Sequence, residues 1–134
     1  MQKFESVLKF KKYEVIEIYF KKNEEYKMEE NEMETDLKIR PFVNIIDNDM
    51  NILLDVNIFE NAQENNKPFE IHIKLKGYFR TEGCNPNELK ANAIAILYPY
   101  IRAIISTYTA NANITPLILP AINVNKLIES QSKE

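Results

Sequence analysis

Tryptophan is absent from the 134 residues, and glycine, cysteine and histidine are nearly so: Gly77, Gly83, Cys84 and His72 are all there are. So little glycine argues against phosphate-cradling loops, which need backbone to approach the ligand closely. A single cysteine closes no internal disulfide, which points to a reducing compartment and a cytoplasmic protein. Cys84 lies beside a helix start, where thiol pKa values fall, but no partner base accompanies it, so a structural role is expected. His72 stands among Glu70, Lys74 and Lys76 in the polar phase of a strand, where a solvated group is expected rather than a general base. One His and one Cys give no zinc spacing, and no oxygen-ligand loop with a glycine fits calcium. The expectation is a protein that is not an enzyme and uses no metal or cofactor.

Long apolar runs are also missing. The longest, Ala93 to Ile101, contains Pro99 and stops at Arg102, far short of the ~20 residues a spanning helix needs. The first residues, Met1 to Val7, carry no apolar stretch with a cleavage site behind it, so neither membrane insertion nor a secretion signal is expected. Net charge is −3, from 17 basic and 20 acidic residues, and no basic cluster suggests a nucleic-acid partner.

What is present divides the chain in two. Glu24 to Asp36 is strongly acidic and reads as a solvated connection, whereas from Ala91 to Asn125 the one formal charge is Arg102. The first two thirds read as four strands, within about residues 4–81. Phe69 to Phe79 alternates Phe69, Ile71, Ile73, Leu75, Gly77 and Phe79 with polar residues, the period of a half-buried strand. Met50 to Phe59 does the same with Ile52, Leu54, Val56 and Ile58. Tyr13 to Phe20 forms the first strand, joined across a kink to Val7–Phe10. Thr35 to Ile46 carries Leu37, Ile39, Val43 and Ile45 in phase, and Pro41 makes it an edge strand or a bulge. Asp47-Asn48-Asp49 is the hairpin turn into Met50. Four such strands predict an antiparallel meander or Greek key with one buried face.

Helix follows strand. Asn85-Pro86-Asn87-Glu88 is a start signal, with an amide cap, proline at the first position and an acid near the positive end. The pattern runs over about 86–110, kinked by Pro99. One flank holds Leu89, Ala93, Ile96, Leu97, Tyr100 and Ile104; the other holds Ile94, Tyr98, Ile101, Ile105 and Tyr108. A helix without a wide polar face buries more than one side, and one sheet covers one side. The second flank, Ile94, Tyr98, Ile101, Ile105 and Tyr108, is therefore expected to meet another subunit. Residues 113–124 form an apolar, proline-interrupted loop, and 125–131 a short final helix with its N-terminal side chain as cap.

The last third resembles a known family. Ile96-Leu97-Tyr98-Pro99-Tyr100-Ile101-Arg102 is similar to the I-L-F-P-Y-x-R segment of the main helix of SecB export chaperones. In continuous register, Leu117-x-Leu119 followed by Ala121-Ile122-Asn123-Val124 resembles the family's L-x-L-x-P-V-N-F stretch. Gly77-Tyr78-Phe79 sits where that family has G-I-F. Two features depart from it: Ala93-Ile94-Ala95 replaces C-P-N before the helix motif, and proline falls one position early, at Pro120.

The resemblance implies one SecB-like α+β domain over 1–134, a four-stranded antiparallel sheet with a long kinked helix and a short C-terminal helix on one face. It implies a homotetramer, a dimer of dimers with the long helix at its centre, and an ATP-independent holdase for unfolded or pre-secretory polypeptides. Clients are expected in apolar grooves between sheet, loop and last helix, at Leu117, Leu119, Ile122, Val124, Leu127 and Ile128, with Phe42 and Ile46 as weaker assignments. The resemblance also names the translocase motor SecA as a partner. Family members meet it with an acidic face, whereas the exposed phase here reads Glu70, His72, Lys74, Lys76 and Arg80. That balance favours a divergent member, a solitary chaperone or one serving a toxin–antitoxin pair. Two rival readings are an adaptor dedicated to one partner, such as an antitoxin tail, and a carrier of small apolar molecules.

Overall fold

The computed structural model describes residues 7–28, 36–114, 119 and 122–132. Four strands, β1 (Leu8–Lys22), β2 (Leu37–Ile46), β3 (Asp49–Ile58) and β4 (Phe69–Thr81), precede a 3-10 turn (Pro86–Leu89) and two helices, α1 (Lys90–Asn111) and α2 (Val124–Ser132). The strands form one antiparallel sheet in the order β1-β4-β3-β2, a Greek key whose two edges are β1 and β2. Pro41 thus sits in an edge strand, where its missing N–H breaks no central ladder.

Alternation builds the inner face as the sequence reading requires. Met50, Ile52, Leu54, Val56 and Ile58 of β3 and Phe69, Ile71, Ile73, Leu75 and Phe79 of β4 are buried. Their neighbours on the same strands turn outward. β1 behaves differently. Register shifts fall between Phe10 and Lys12 and between Val15 and Glu17, so Lys11 and Ile16 are extra residues in the ladder. Each bulge flips the phase, and Phe10, Tyr13, Val15, Ile18 and Phe20 all oppose inward residues of β4. The kink expected before Tyr13 is the first bulge; the second has no counterpart in the sequence reading.

Helix α1 crosses β4 and β1, and α2 packs beside α1 and over β2. The close approach is made at Gly77, where a Cβ would lie 2.5 Å from Leu97 Cδ2. Asn85 caps the helical segment as expected, its Oδ1 accepting from the Asn87 N–H at 3.0 Å, although the first turn is 3-10 and α1 proper begins four residues later than Pro86. Pro99 lies inside an unbroken helix on its exposed side and leaves the Ala95 carbonyl without its intrahelical donor.

The C-terminus of α1 closes with a Schellman arrangement. Asn113 is left-handed (φ 58), its N–H donates to Ala110 O, and the Ile114 N–H donates to Thr109 O. Asparagine tolerates this conformation better than other non-glycine residues, which suits a chain so short of glycine. The cap of α2 is Asn123, whose Oδ1 accepts from the Lys126 N–H at 3.0 Å. It is therefore Asn123, not Asn125, that starts the last helix.

Candidate functional site

The inward flank of α1 corrects one expectation. Ile94, Ile101 and Ile105 have no exposed surface and Tyr98 only 6%, because they point down onto the chain's own sheet. They have no area left to bury against a second subunit. Of the residues expected there, Tyr108 alone is exposed. The large apolar side chains of α1 that keep some exposure form the stripe of Ile96, Tyr100, Ile104 and Tyr108, the first three half-buried, whereas its most open positions include Asn92, Ala95, Arg102, Ala103, Ser106 and Thr107. Tyr100 stacks on Tyr13 of β1 at 4.2 Å, and Tyr108 meets Phe20 at 5.6 Å. Burial raises the Tyr98 hydroxyl pKa above the ordinary 10.0, with Arg102 pulling weakly the other way.

On the other side of α1, α2 leaves an apolar groove along the β2 edge. Leu37 and Ile39 of β2 form one wall; Ile122, Asn123, Lys126 and Leu127 form the other, around a volume of about 310 Å³. Val124 and Ile128 are half-buried against the core beside it. The amphipathic α2 turns Val124, Leu127 and Ile128 toward the body of the protein. No titratable pair or nucleophile lines this groove among the described residues. It offers apolar contact, one ammonium group and the outer edge of a strand.

Sequence reasoning placed Ile122, Val124, Leu127 and Ile128 in this region, and the structure brings them together. Leu119 is different. At 5% exposure it belongs to the core cluster, so its side chain supports the fold and is not presented to a client. Phe42 and Ile46 lie outside the groove, 47% and 62% exposed. Their register partners Leu53 and Asp49 face outward, which puts them on the face of the sheet opposite the helices. Leu117 lies outside the described residues. Sequence reasoning did not assign Leu37 and Ile39; their signal was an apolar phase on an edge strand, where half of the covering layer is missing.

The outer face is charged. Its rows carry Lys9, Lys12, Lys21, Lys38, Arg40, Lys74, Lys76 and Arg80 against Glu14, Glu17, Asp49, Asp55 and Glu70. Several pair across strands, Lys74 with Glu17 at 3.5 Å and Arg80 with Asp49 at 3.8 Å; such exposed pairs contribute about 0–1 kcal/mol each. His72 is half-buried here rather than freely solvated, bonded to Asn57 Oδ1 and, through Nε2, to Glu70 Oε2 at 3.0 Å. A larger depression, about 580 Å³, opens at the end of β1 among Lys21, Lys22, Glu24, Glu25, Gln63 and Glu70. Its lining is mostly polar, and no group of three or more metal-ligating side chains occurs among the described residues. No described helix is long and apolar enough to cross a membrane.

Comparison with known proteins fits this architecture. The family model for SecB, preprotein translocase subunit SecB, matches residues 10–134. The chain belongs to the SecB family. An uncharacterized protein of Methanocaldococcus jannaschii is 34% identical over 139 aligned positions, covering 87% of this chain and 79% of the relative. Among solved structures, the SecB-like chaperone of Mycobacterium tuberculosis, in complex with a ChAD peptide from the HigA1 antitoxin, superposes with a TM-score of 0.66. It is 17% identical, and the match covers 86% of this chain and 90% of that one; at that identity the likeness speaks for the fold. The SecB motif of α1 is thereby placed physically. Leu97 seats on Gly77, Tyr100 stacks on β1, and Pro99 and Arg102 face solvent.

Proposed function

We propose that this SecB-family chain is an ATP-independent holdase that keeps unfolded polypeptides from aggregating by binding extended apolar segments in the groove between β2 and α2. The observation that carries this reading is the groove itself, an apolar channel of about 310 Å³ walled by Leu37, Ile39, Ile122 and Leu127. Apolar burial is non-directional and suits unrelated sequences. The neighbouring β2 edge adds main-chain pairing that any extended segment can satisfy. Unfolded chains expose such segments and folded ones do not, so selection needs no nucleotide. The groove contacts in this reading are Ile122, Val124, Leu127 and Ile128; Leu117 is added to them by the resemblance to the family's L-x-L stretch alone. We place the protein in the cytoplasm, as one SecB-like domain assembling into a dimer of dimers through the open stripe Ile96, Tyr100, Ile104 and Tyr108 of α1. Delivery of pre-secretory clients to the Sec translocase belongs to the same reading.

A second reading, an adaptor for one dedicated partner, is favoured by one observation: the M. tuberculosis relative in fold was solved with a peptide from an antitoxin. Anisotropy titration with one permanently unfolded protein, and with the same protein folded, separates the two. Tight binding of the unfolded form alone supports the holdase. Binding of neither form sinks it and turns the search to a dedicated partner.

A further inference from the structure

The chain is acidic overall, at −3, yet cations outnumber carboxylates on the face of the sheet turned away from the helices. Two adjacent cross-strand rows occupy its middle, Glu14–Lys76–Leu53–Phe42 and Lys12–Tyr78–Asn51–Asn44. The ammonium groups of Lys12 and Lys76 sit over the Tyr78 ring, 4.9 and 5.2 Å from its centroid, and the Arg40 guanidinium lies 5.8 Å from that of Phe42. None of these three cations forms an ion pair with a described carboxylate, although Lys11, Lys74 and Arg80 around them do. Leu53 and exposed Phe42 supply an apolar floor between them. Two carboxylates border the patch: that of Glu14, which accepts a hydrogen bond from the Tyr78 hydroxyl, and that of Asp55, opposite Arg40 in register but forming no ion pair with it.

Three cations without an ion-paired carboxylate among the described residues, around an apolar floor, match a ligand that alternates carboxylates with apolar side chains. We propose that this outer face docks an extended, carboxylate-rich peptide segment of a partner protein. Its acids meet Lys12, Lys76 and Arg40, and an intervening apolar side chain rests on Leu53, beside the edge of Phe42. In an extended peptide successive side chains point to opposite sides, so every second residue reaches the face. Single-stranded nucleic acid is the other polyanion to consider, but base stacking needs open ring faces. Here the cations stand over the rings of Tyr78 and Phe42. The surface is separate from the client groove, which lies on the helix side.

The test is anisotropy of a fluorescein-labelled peptide alternating Glu and Leu, beside its counterpart with Gln for Glu and beside oligodeoxythymidylate. The Glu peptide binds and the Gln peptide does not, and binding weakens as salt screens the charges. Reversing both lysines, Lys12→Glu with Lys76→Glu, lowers affinity about tenfold or more; Arg40→Glu, an independent exposed substitution, lowers it as well. Affinity of both variants for a permanently unfolded protein stays at the wild-type level. Equal binding of the Gln peptide overturns the proposal, as does unchanged affinity in both variants. Tighter binding of the oligonucleotide also overturns it and assigns the face to nucleic acid. A parallel loss of unfolded-protein binding overturns it too, since peptide and client would then share one site.

Discussion

At Gly77 the absence of a side chain sets the distance between helix and sheet. A methyl group there would fall 2.5 and 2.7 Å from the two Cδ atoms of Leu97, too close for either to stay in place. Gly77→Ala should cost about 1–3 kcal/mol through overpacking, read as a lower denaturant midpoint with unchanged slope. Trimming Leu97 to Ala in the same chain should recover part of that loss, and a double-mutant cycle measures the coupling. Leu119 is buried, whereas Leu127 is half-buried at the groove wall. Leu119→Asp places a charge in the core and should unfold the chain, whereas Leu127→Asp, at the groove wall, should leave the fold intact and weaken unfolded-client binding about tenfold. Equal loss of structure in both variants would show that the wall is core. Tyr98 gives a pH dependence. Its folded pKa lies above the ordinary 10.0, so the folded state holds the proton more tightly than the unfolded one. The stabilisation it contributes is complete below the unfolded value and is lost as pH rises through the folded value. Tyr98→Phe should therefore flatten the alkaline fall of the melting temperature. An unchanged alkaline limb would contradict this.

Elements differ in how far their residues announce them. β3 and β4 were legible residue by residue because both faces obey strict alternation and lie centrally in the sheet. β1 was not, since its two bulges reverse the phase twice and an edge strand is half-covered anyway. Tyr13 to Phe20 read as one strand, with nothing in its residues to mark the extra one at Ile16. The cap of α1 was legible from Asn85-Pro86; the cap of α2 was displaced by two residues because Asn123 and Asn125 are equally good candidates. The groove could be placed only by half. Ile122 to Ile128 follow from the C-terminal pattern, while Leu37 and Ile39 join them through a strand order that pattern alone leaves open. The bulge at Ile16 makes a test of its own. Deleting Ile16 leaves Val15 opposite Leu75 and Glu17 opposite Lys74, both already in register, so the deletion should be tolerated with a modest drop in melting temperature. Deleting Ile73 from β4, which is paired on both sides, should abolish folding.

On the scale of the whole molecule, the described residues show apolar surface in two places on the helix side: the groove beside α2 and the stripe of Ile96, Tyr100, Ile104 and Tyr108 beyond β1. They flank α1, so assembly and client binding need not compete. Ile104→Glu should lower the mass measured by light scattering while leaving the unfolded-client affinity per chain within about threefold, a limit of roughly 0.7 kcal/mol. A variant that stays assembled would move the subunit contact elsewhere. The inward flank misled the sequence reading for a simple reason. Ile94, Tyr98, Ile101 and Ile105 share an i, i+4 spacing with the open stripe, and helical periodicity shows that two flanks are apolar without saying which one the sheet takes.

The sheet order β1-β4-β3-β2 has a consequence in time. β2 and β3 can pair as soon as both exist, through a two-residue turn at Asp47 and Asn48. β1 is made before either of them, yet its one partner strand is β4, with Leu8 opposite Thr81. On a ribosome the first strand must wait, unpaired, until the last one has emerged. Its closing loop is the longest in the sheet, which slows folding by the entropy of bringing distant segments together. A protein proposed to shelter other unfinished chains thus begins its own existence with an open, apolar strand edge.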